Sequence, residues 1–221
     1  MTVSKAWDWT LDTSPHWLVP CEESHYLAAR WAAQGRRDLL DLGCGRGRHA
    51  IFFAQKGFSV SAFDLSQDAV EQTRGWALRE RLSIGVRQGD MLALPYPDAA
   101  FDAVFAMHVL SHTDTAGIRV ILSELFRVLR PGGEFFLTLC AKDTWSFTAK
   151  RYPLLDENTV VKTEGAEAGI PHFFADLDDI ERLFSPVRLL RVRHTDDCLF
   201  EDARQCSVHY FILGTNASKT K

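Results

Sequence analysis

The sequence has little that would attract it to a polyanion or insert it into a membrane. Its 29 acidic residues outnumber its 25 Lys and Arg residues, and the formal net charge is −4. A weakly acidic chain has no general attraction to nucleic acid or to anionic lipid. No stretch approaches the ~20 apolar residues that a membrane-spanning helix needs. We therefore expect no membrane partner, and nucleic acid is disfavoured as a substrate.

The features of secreted proteins are also missing. Residues 1–17 are polar and aromatic, without the apolar stretch of a secretory signal. The cysteines include no CxxC pair, which is typical of free thiols in a reducing compartment. They are Cys21, Cys44, Cys140, Cys198 and Cys206. These absences predict a cytoplasmic location.

What the chain does have is a regular alternation of strand and helix patterns. The predicted helices are 22–34, 47–56, 66–79 and 114–129, and the predicted strands are 38–42, 58–63, 82–88, 101–107 and 134–140. This alternation predicts a mostly parallel sheet with helices on both faces, a three-layer α/β/α sandwich. A helix at 176–184 and an antiparallel pair of strands, 187–194 and 206–213, are predicted to follow. The length suits a single domain, 1–221.

The strongest single signal is DLGCGRG at residues 41–47, between the first predicted strand and the next helix. Glycine permits a sharp turn and lets a ligand approach the backbone closely. The helix that follows presents unpaired N–H groups at its N-terminus. A carboxylate or a phosphate could bind there, so the turn alone does not identify the ligand.

Acidic residues follow the next two strands. Asp64 ends the second strand, where an acid can accept hydrogen bonds from both hydroxyls of a ribose, and Asp90 follows the third strand. The carboxyl ends of parallel strands share one edge of a sheet, where ligands bind. Asp64 could equally bind the ribose of a nicotinamide cofactor. However, the turn reads GxGxG rather than GxGxxG, and no Tyr-x-x-x-Lys pair occurs.

Several segments together resemble the successive motifs of class I S-adenosylmethionine-dependent methyltransferases, over residues 38–140. They are DLGCGRGRHAIFFAQKGFSVSAFDLS, QGDMLALPY, FDAVFAMHVLSH and LRPGG. The run GRGRHAIFFAQKGF is most similar to the small tellurite-resistance and thiol methyltransferases. The resemblance implies a Rossmann-like, mostly parallel seven-stranded sheet with an antiparallel final strand. It also implies S-adenosylmethionine as cofactor and a small-molecule methyl acceptor, which could be a thiol, metalloid, hydroxyl or amine.

The resemblance further implies a set of cofactor contacts along the carboxyl edge of the sheet. The methionine end would meet Asp41, Gly43, Gly45 and Gly47, the ribose would meet Asp64, the adenine would meet Asp90 and Met91, and the sulfonium side would meet Ala106, Met107 and His108. The neighbouring residues Cys44, Arg48 and Leu65 complete the predicted set.

Methyl transfer from a sulfonium is an in-line displacement, for which the nucleophile must lie about 3–3.5 Å from the methyl carbon. A thiolate needs no base, whereas a neutral hydroxyl or amine needs a proton acceptor. His108, His112 and His172 are the candidate catalytic residues, and a hydrogen-bonded structural role is the alternative for each. The i, i+4 spacing of His108 and His112 would suit a metal site. No HExxH motif or cysteine pair accompanies it, so we expect no metal.

Two segments flank the predicted cofactor-binding core, 38–140. Residues 1–37 form a cap with a helix and three tryptophans, and residues 141–175 are rich in aromatic residues without clear periodicity. Long irregular segments are usually functional, so we expect 141–175 to form a lid on the acceptor side. The aromatic residues of 1–37 and 141–175 could instead form a small hydrophobic core within these two segments. Residues 176–214 supply the last helix and strands.

A non-catalytic module that only binds S-adenosylmethionine would carry the same motifs as an enzyme. Nothing in the motifs separates the two, and a test of turnover would distinguish them. A third hypothesis is an NAD-dependent oxidoreductase, which the GxGxG spacing of the glycines disfavours.

Overall fold

The structure is a computed structural model, and it describes residues 4–12, 14–149, 151–197 and 206–217. The helices are α1 (Glu22–Ala33), α2 (Arg48–Gln55), α3 (Gln67–Arg79), α4 (Thr115–Val128), α5 (Trp145–Thr148) and α6 (Leu177–Leu183). The strands are β1 (Asp38–Leu42), β2 (Ser59–Asp64), β3 (Ile84–Gln88), β4 (Phe101–Ala106), β5 (Leu129–Ala141), β6 (Leu154–Asp156), β7 (Thr159–Val161), β8 (Pro171–Ala175), β9 (Arg188–Asp197) and β10 (Ser207–Thr215). Short 3₁₀ turns lie at Pro15–Leu18 and Gly165–Glu167.

The described residues form a ten-stranded sheet, in which seven strands follow the order β3-β2-β1-β4-β5-β10-β9 and β8, β7 and β6 continue from the end of β5. Strands β1 to β5 pair in parallel, and β10 runs antiparallel to both β5 and β9. The final strand of the chain is therefore inserted between two strands that run in the opposite direction. The predicted Rossmann-like α/β/α sandwich, with its antiparallel final strand, is confirmed.

Alternating side chains of the central strands fill two apolar layers, one on each face of the sheet. Leu39 packs with Trp31 of α1 and Phe53 of α2, whereas the next residue, Leu40, packs with Ile121 of α4 on the opposite face. Successive side chains of a strand point to opposite faces, so a strand covered on both sides is apolar throughout. This is why Leu39, Leu40 and Leu42 of β1 are all buried, although they lie on both faces of the strand.

Residues 141–175 contain regular structure, contrary to the expectation of an aperiodic segment. β6, β7 and β8 form an antiparallel set, and β8 joins the end of β5 in parallel through Cys140 and Ala141. Three- and five-residue strands are too short to show a period in sequence. Their existence depends on pairing, and Phe173 and Phe174 of β8 are buried in the core.

Three helices begin with a side chain that caps their first turn. Ser66, Asp114 and Asp176 each accept a hydrogen bond from a backbone N–H in the first turn of the helix that follows. The helix predicted at 114–129 is α4, Thr115–Val128, and β5 begins at once at Leu129, so Pro131 lies within an irregular start of the strand.

The cysteines only partly match the prediction of free thiols. Cys21, Cys44 and Cys140 are free, but Cys206 is disulfide-bonded, and Cys198 lies outside the described residues. A disulfide requires two sulfur atoms that the fold brings together, which cysteine spacing does not reveal. Among the described residues, none of the helices combines the length and apolar character that a bilayer crossing requires.

Candidate active site

The turn between β1 and α2 is built from glycines in the left-handed backbone region. Gly43 has φ +71°, and a Cβ there would lie 2.3 Å from the side chain of Val109. Gly47 has φ +93°, and its Cβ would lie 2.7 Å from the Thr73 hydroxyl. Both the backbone conformation and the neighbouring protein atoms therefore demand glycine. The expectation that these glycines mainly make room for a ligand is incomplete, because the fold itself requires them.

Asp64 connects this turn to the end of β2. One carboxylate oxygen accepts the N–H of Gly45 at 2.8 Å, and the other accepts the N–H of Ser66 at 2.9 Å. Burial raises the pKa of Asp64, although these backbone hydrogen bonds oppose the change. The carboxylate is thus held in place at the carboxyl edge of the sheet before any ligand arrives.

A cavity opens over this turn, which we call the glycine-turn cavity. Ten of the predicted cofactor contacts line it: Gly43, Cys44, Gly45, Arg48, Asp64, Leu65, Asp90, Met91, Met107 and His108. They come from the ends of β1, β2, β3 and β4, as the parallel sheet requires.

The other three predicted contacts do not line the glycine-turn cavity. Ala106 is fully buried in the core on the α4 side of the sheet, because alternation along β4 turns it away from its neighbour Met107. Gly47 begins α2 and faces Thr73 of α3. Asp41 lies within β1, 1% exposed.

Asp41 is nevertheless unusual, because one of its carboxylate oxygens has no hydrogen-bond partner among the described residues. Burial raises its pKa to about 7, against the opposing influence of Arg48. A buried carboxylate oxygen without a hydrogen-bond partner is unfavourable, and a positively charged ligand group near the glycine turn would stabilise it.

The N-terminal segment covers the glycine-turn cavity. The rings of Trp7, Trp9 and Trp17 pack against one another with centroids 5.6–5.7 Å apart, and all three line the cavity. Arg46 donates to the Trp9 carbonyl at 2.9 Å, and Arg48 donates to the His16 carbonyl at 3.0 Å. The free space left below is about 90 Å³, against the ~300–1,000 Å³ typical of ligand sites.

A second cavity of about 710 Å³ adjoins the first, and we call it the histidine cavity. Its walls carry His108, His112, His172 and His209, together with Cys140, Lys162 and Glu167. His108 and His112 line both cavities. The two cavities therefore share a wall at the loop that follows β4.

His108 stands at the junction of the two cavities in a strained conformation. Its φ is +54°, and its backbone N–H donates to the Thr138 hydroxyl at 2.8 Å. Burial lowers the pKa of His108 to about 3, with the neighbouring His209 acting in the same direction. The imidazole is therefore neutral at physiological pH. Left-handed backbone at a residue other than glycine is concentrated at functional sites.

His112 and His172 meet at a carboxylate. Glu167 Oε1 lies 3.3 Å from His112 Nε2 and 2.8 Å from His172 Nε2, and Lys162 forms an ion pair with Glu167 Oε2. Although burial opposes it, the hydrogen bonds from the two histidines hold the pKa of Glu167 well below its usual range. The structure thus brings together two of the three predicted histidines around a residue that the sequence did not single out.

Sequence reasoning missed Glu167, Lys162, Cys140 and His209 because nothing local marks them. The one available signal was the short segment EAGIPH at 167–172, in which an acid precedes a histidine by five positions.

The aromatic residues of the two flanking segments, the N-terminal cap and residues 141–175, only partly line the cavities. The N-terminal tryptophans line the cavities, whereas Phe147 packs on Phe174 and Phe173 is part of the core.

The fold and the edge cavity define a class of protein, the Rossmann-like α/β proteins that bind a ligand at the carboxyl ends of their parallel strands. Residues 39–133 match the family described as "Methyltransferase domain". This segment contains the glycine turn, Asp64, Asp90 and His108.

Curated relatives that match part of the chain are also named as methyltransferases. A sterol 24-C-methyltransferase of Gibberella zeae is 33% identical over 124 residues, which is 55% of this chain and 32% of that protein. A probable S-adenosylmethionine-dependent methyltransferase of Mycolicibacterium smegmatis is 36% identical over 111 residues, 50% of this chain and 40% of that protein. The chain spans about a third of the length of the sterol methyltransferases it matches.

Solved structures extend the likeness to most of the chain. A SAM-dependent methyltransferase from Methanosarcina mazei has a TM-score of 0.70 at 20% identity, covering 82% of this chain and 93% of that chain. TehB from Haemophilus influenzae has a TM-score of 0.64 at 14% identity, covering 86% and 61%. At such identities these structures establish the fold alone. Together with the sequence matches, they confirm the resemblance to S-adenosylmethionine-dependent methyltransferases.

Proposed function

We propose that this chain transfers the methyl group of S-adenosylmethionine to a small-molecule nucleophile. The observation that carries the proposal is that the two cavities share a wall. The glycine turn and Asp64 line the first cavity, and His108 and His112 line both the first cavity and the second, polar one. A cofactor in the first cavity would therefore present its methyl group to an acceptor in the second.

The residues present fit the cofactor. Asp64 offers carboxylate oxygens to the ribose hydroxyls, and Asp90 and Met91 line the place assigned to the adenine. Asp41 is buried behind the glycine turn, and its one unpartnered carboxylate oxygen would act on the α-ammonium group through charge rather than by direct contact. Met107 and His108 lie on the side that opens into the histidine cavity. Gly47 and Ala106 would act only through the fold.

His108 is the histidine best placed to accept a proton from the acceptor. It touches both cavities. Because burial lowers its pKa to about 3, it is neutral at physiological pH but a weak base, which suits an acidic acceptor such as a thiol better than an amine or an alcohol. A soft anionic acceptor would need no base, and a dry cavity favours the neutralisation of charge as the methyl group moves. His112 and His172 are tied to Glu167, which gives them a different role.

Two segments would enclose the reactants. Residues 4–7, Trp9 and Trp17 of the N-terminal cap line the glycine-turn cavity, so these residues must shift to admit the cofactor. Residues 141–175 would be the acceptor-side lid, since Lys162, Glu167 and His172 line the histidine cavity. Deleting the whole lid would also remove the buried Phe173 and Phe174, so point variants at the cavity wall are the better test of its role.

Calorimetric titration of the full chain with S-adenosylmethionine and S-adenosylhomocysteine tests the cofactor. We expect micromolar binding of both. We expect Asp64→Asn to weaken it about 10–100-fold, because the charged acceptor for the ribose is lost while an oxygen remains for the Gly45 N–H. Asp68→Asn, an exposed acid in the first turn of α3, is the matched control and leaves the affinity unchanged.

The same titration with NAD separates the alternatives. Binding of NAD without either adenosyl ligand would refute the methyltransferase proposal and favour an oxidoreductase. Binding of the adenosyl ligands without turnover of any thiol, hydroxyl or amine acceptor would favour a non-catalytic module. We propose no nucleic-acid or membrane partner. A cytoplasmic location stays a prediction, and the disulfide at Cys206 weakens it, because such bonds are rare in the cytosol.

A further inference from the structure

Three potential metal-ligand atoms meet in the wall of the histidine cavity. His112 Nε2 lies 3.3 Å and His172 Nε2 lies 2.8 Å from Glu167 Oε1, and the three atoms are all within 4.8 Å of one another. They come from the loop after β4, the turn Gly165–Glu167 and β8. Ligands that bind zinc at about 2.0–2.2 Å in a tetrahedron are about 3–3.5 Å apart, so only small movements would enclose an ion.

The hydrogen bonding of His172 fixes the direction of its second ring nitrogen. Its Nδ1 lies 2.9 Å from the Ile170 carbonyl, which can only accept, so Nδ1 carries a hydrogen. Nε2 then faces Glu167 Oε1 at 2.8 Å. Because two lone pairs at this distance repel each other, either a proton or a metal ion lies between these two atoms. His172 is 1% exposed, so its ring is shielded from water.

The surroundings of the cluster resemble the outer shell of a metal site. The Ile170 carbonyl orients the ring of His172 through Nδ1. Lys162 holds Glu167 Oε2 and leaves Oε1 directed at the two histidines. Metal-bound histidines and carboxylates are typically held in this way by a second hydrogen-bonding partner.

We propose that His112, Glu167 and His172 bind one divalent transition-metal ion, with zinc as the simplest candidate. Two imidazoles and one carboxylate are the protein ligands of catalytic zinc sites and of other open transition-metal sites. The absence of an HExxH motif does not exclude this site, because its ligands come from three separate segments. The expectation of no metal considered only the His108 and His112 pair.

The ion's role, unlike its binding, rests on the proposed function. All three ligands line the histidine cavity, so an open coordination position would face the acceptor. A thiol or hydroxyl held there loses its proton to solvent at a lower pH. Its lone pair then forms the bond to the methyl carbon as the carbon–sulfur bond of the cofactor breaks, giving S-adenosylhomocysteine.

The test is calorimetric titration of the untagged, chelator-treated full chain with Zn²⁺, supported by the absorption spectrum of the Co²⁺ form. We expect one equivalent of Zn²⁺ to bind with micromolar or tighter affinity. We expect His172→Gln and Glu167→Gln each to weaken binding by at least ~100-fold. Circular dichroism establishes that each variant is folded, and His112→Gln replaces any variant that is not.

His209→Gln is the matched control, because His209 lies in the same cavity but outside the three ligands. It should keep the wild-type zinc affinity. His209 also has Cys140 Sγ 3.6 Å from its Nε2, which is the competing place for a soft metal. Loss of binding in His209→Gln with retention in His172→Gln would overturn the proposal, as would a wild-type chain that binds no zinc.

Titration of the same samples with S-adenosylmethionine separates the two proposals. Zinc binding without cofactor binding would refute the proposed function and leave the metal site standing. Cofactor binding by a chain that does not bind zinc would refute the metal site alone.

Discussion

Asp41 shows how burial changes the chemistry of one side chain. Its carboxyl group is 1% exposed and its pKa is raised to about 7, mainly by burial, whereas in the unfolded chain an Asp titrates near pH 4. Between pH 4 and pH 7, Asp41 is therefore ionised in the unfolded chain but mostly protonated in the folded one. The resulting loss in the free energy of unfolding is absent below about pH 4, grows with pH, and is complete above about pH 7.

We therefore predict that Asp41→Asn raises the free energy of unfolding of the ligand-free protein by about 1–3 kcal/mol at pH 8. The neutral amide avoids the buried charge, although it leaves one unpaired donor. The gain should shrink as the pH falls from 7 to 4.5, as measured by urea unfolding. Asp68→Asn, exposed in α3, should show no such trend. An equal loss of stability at every pH would contradict this account.

At the scale of elements, the position of α1 on the sheet depends on one buried acid. Glu134 of β5, 4% exposed, accepts two hydrogen bonds from Arg30 at 2.8–2.9 Å, one from Trp31 at 2.9 Å and one from Gln34 at 3.2 Å. Burial acts to raise its pKa, but the hydrogen bonds from Arg30 and Trp31 outweigh burial and the pKa is lowered. Glu134 is therefore ionised and stabilises the fold at neutral pH.

Replacing Glu134 by Ala should lower the free energy of unfolding by about 2–4 kcal/mol at pH 7, because the buried Trp31 donor and the partly buried Arg30 lose their acceptor. Glu80→Ala, at an exposed position after α3, should change it by less than ~0.5 kcal/mol. The difference between the two variants should narrow as the pH falls below about 4, because Glu134 then takes up a proton in the unfolded chain before it does so in the folded one. Equal unfolding midpoints for both variants in urea would show that Glu134 does not hold α1.

At the scale of the whole molecule, a ligand that binds only the folded chain must stabilise all of it. S-adenosylhomocysteine at 100 times its dissociation constant adds about 2.7 kcal/mol. For a domain of this length, that raises the Tm by about 5–10 °C. NAD at the same concentration should leave the Tm unchanged. A thermal melt in which both ligands, or neither, shift the Tm would contradict the proposed cofactor.

The sequence by itself determined the features that depend on near neighbours in the chain. Period and capping located β1, α3 and α6, with Ser66 and Asp176 at the predicted helix starts. The glycine turn and Asp64 could be recognised because a sharp strand-to-helix turn followed by an acid has a local signature. The parallel order of strands then placed ten predicted contacts along one cavity.

Only the tertiary structure decided what depends on contacts between distant segments. β6, β7 and β8 are too short to form without each other. Glu167 became part of the site because a turn brings it to His112, far earlier in the chain. Alternation within β4 removed Ala106 from the cavity. The disulfide at Cys206 and the cluster of three metal-ligand atoms also depend on tertiary contacts, because no local sequence pattern shows which distant side chains the fold brings together.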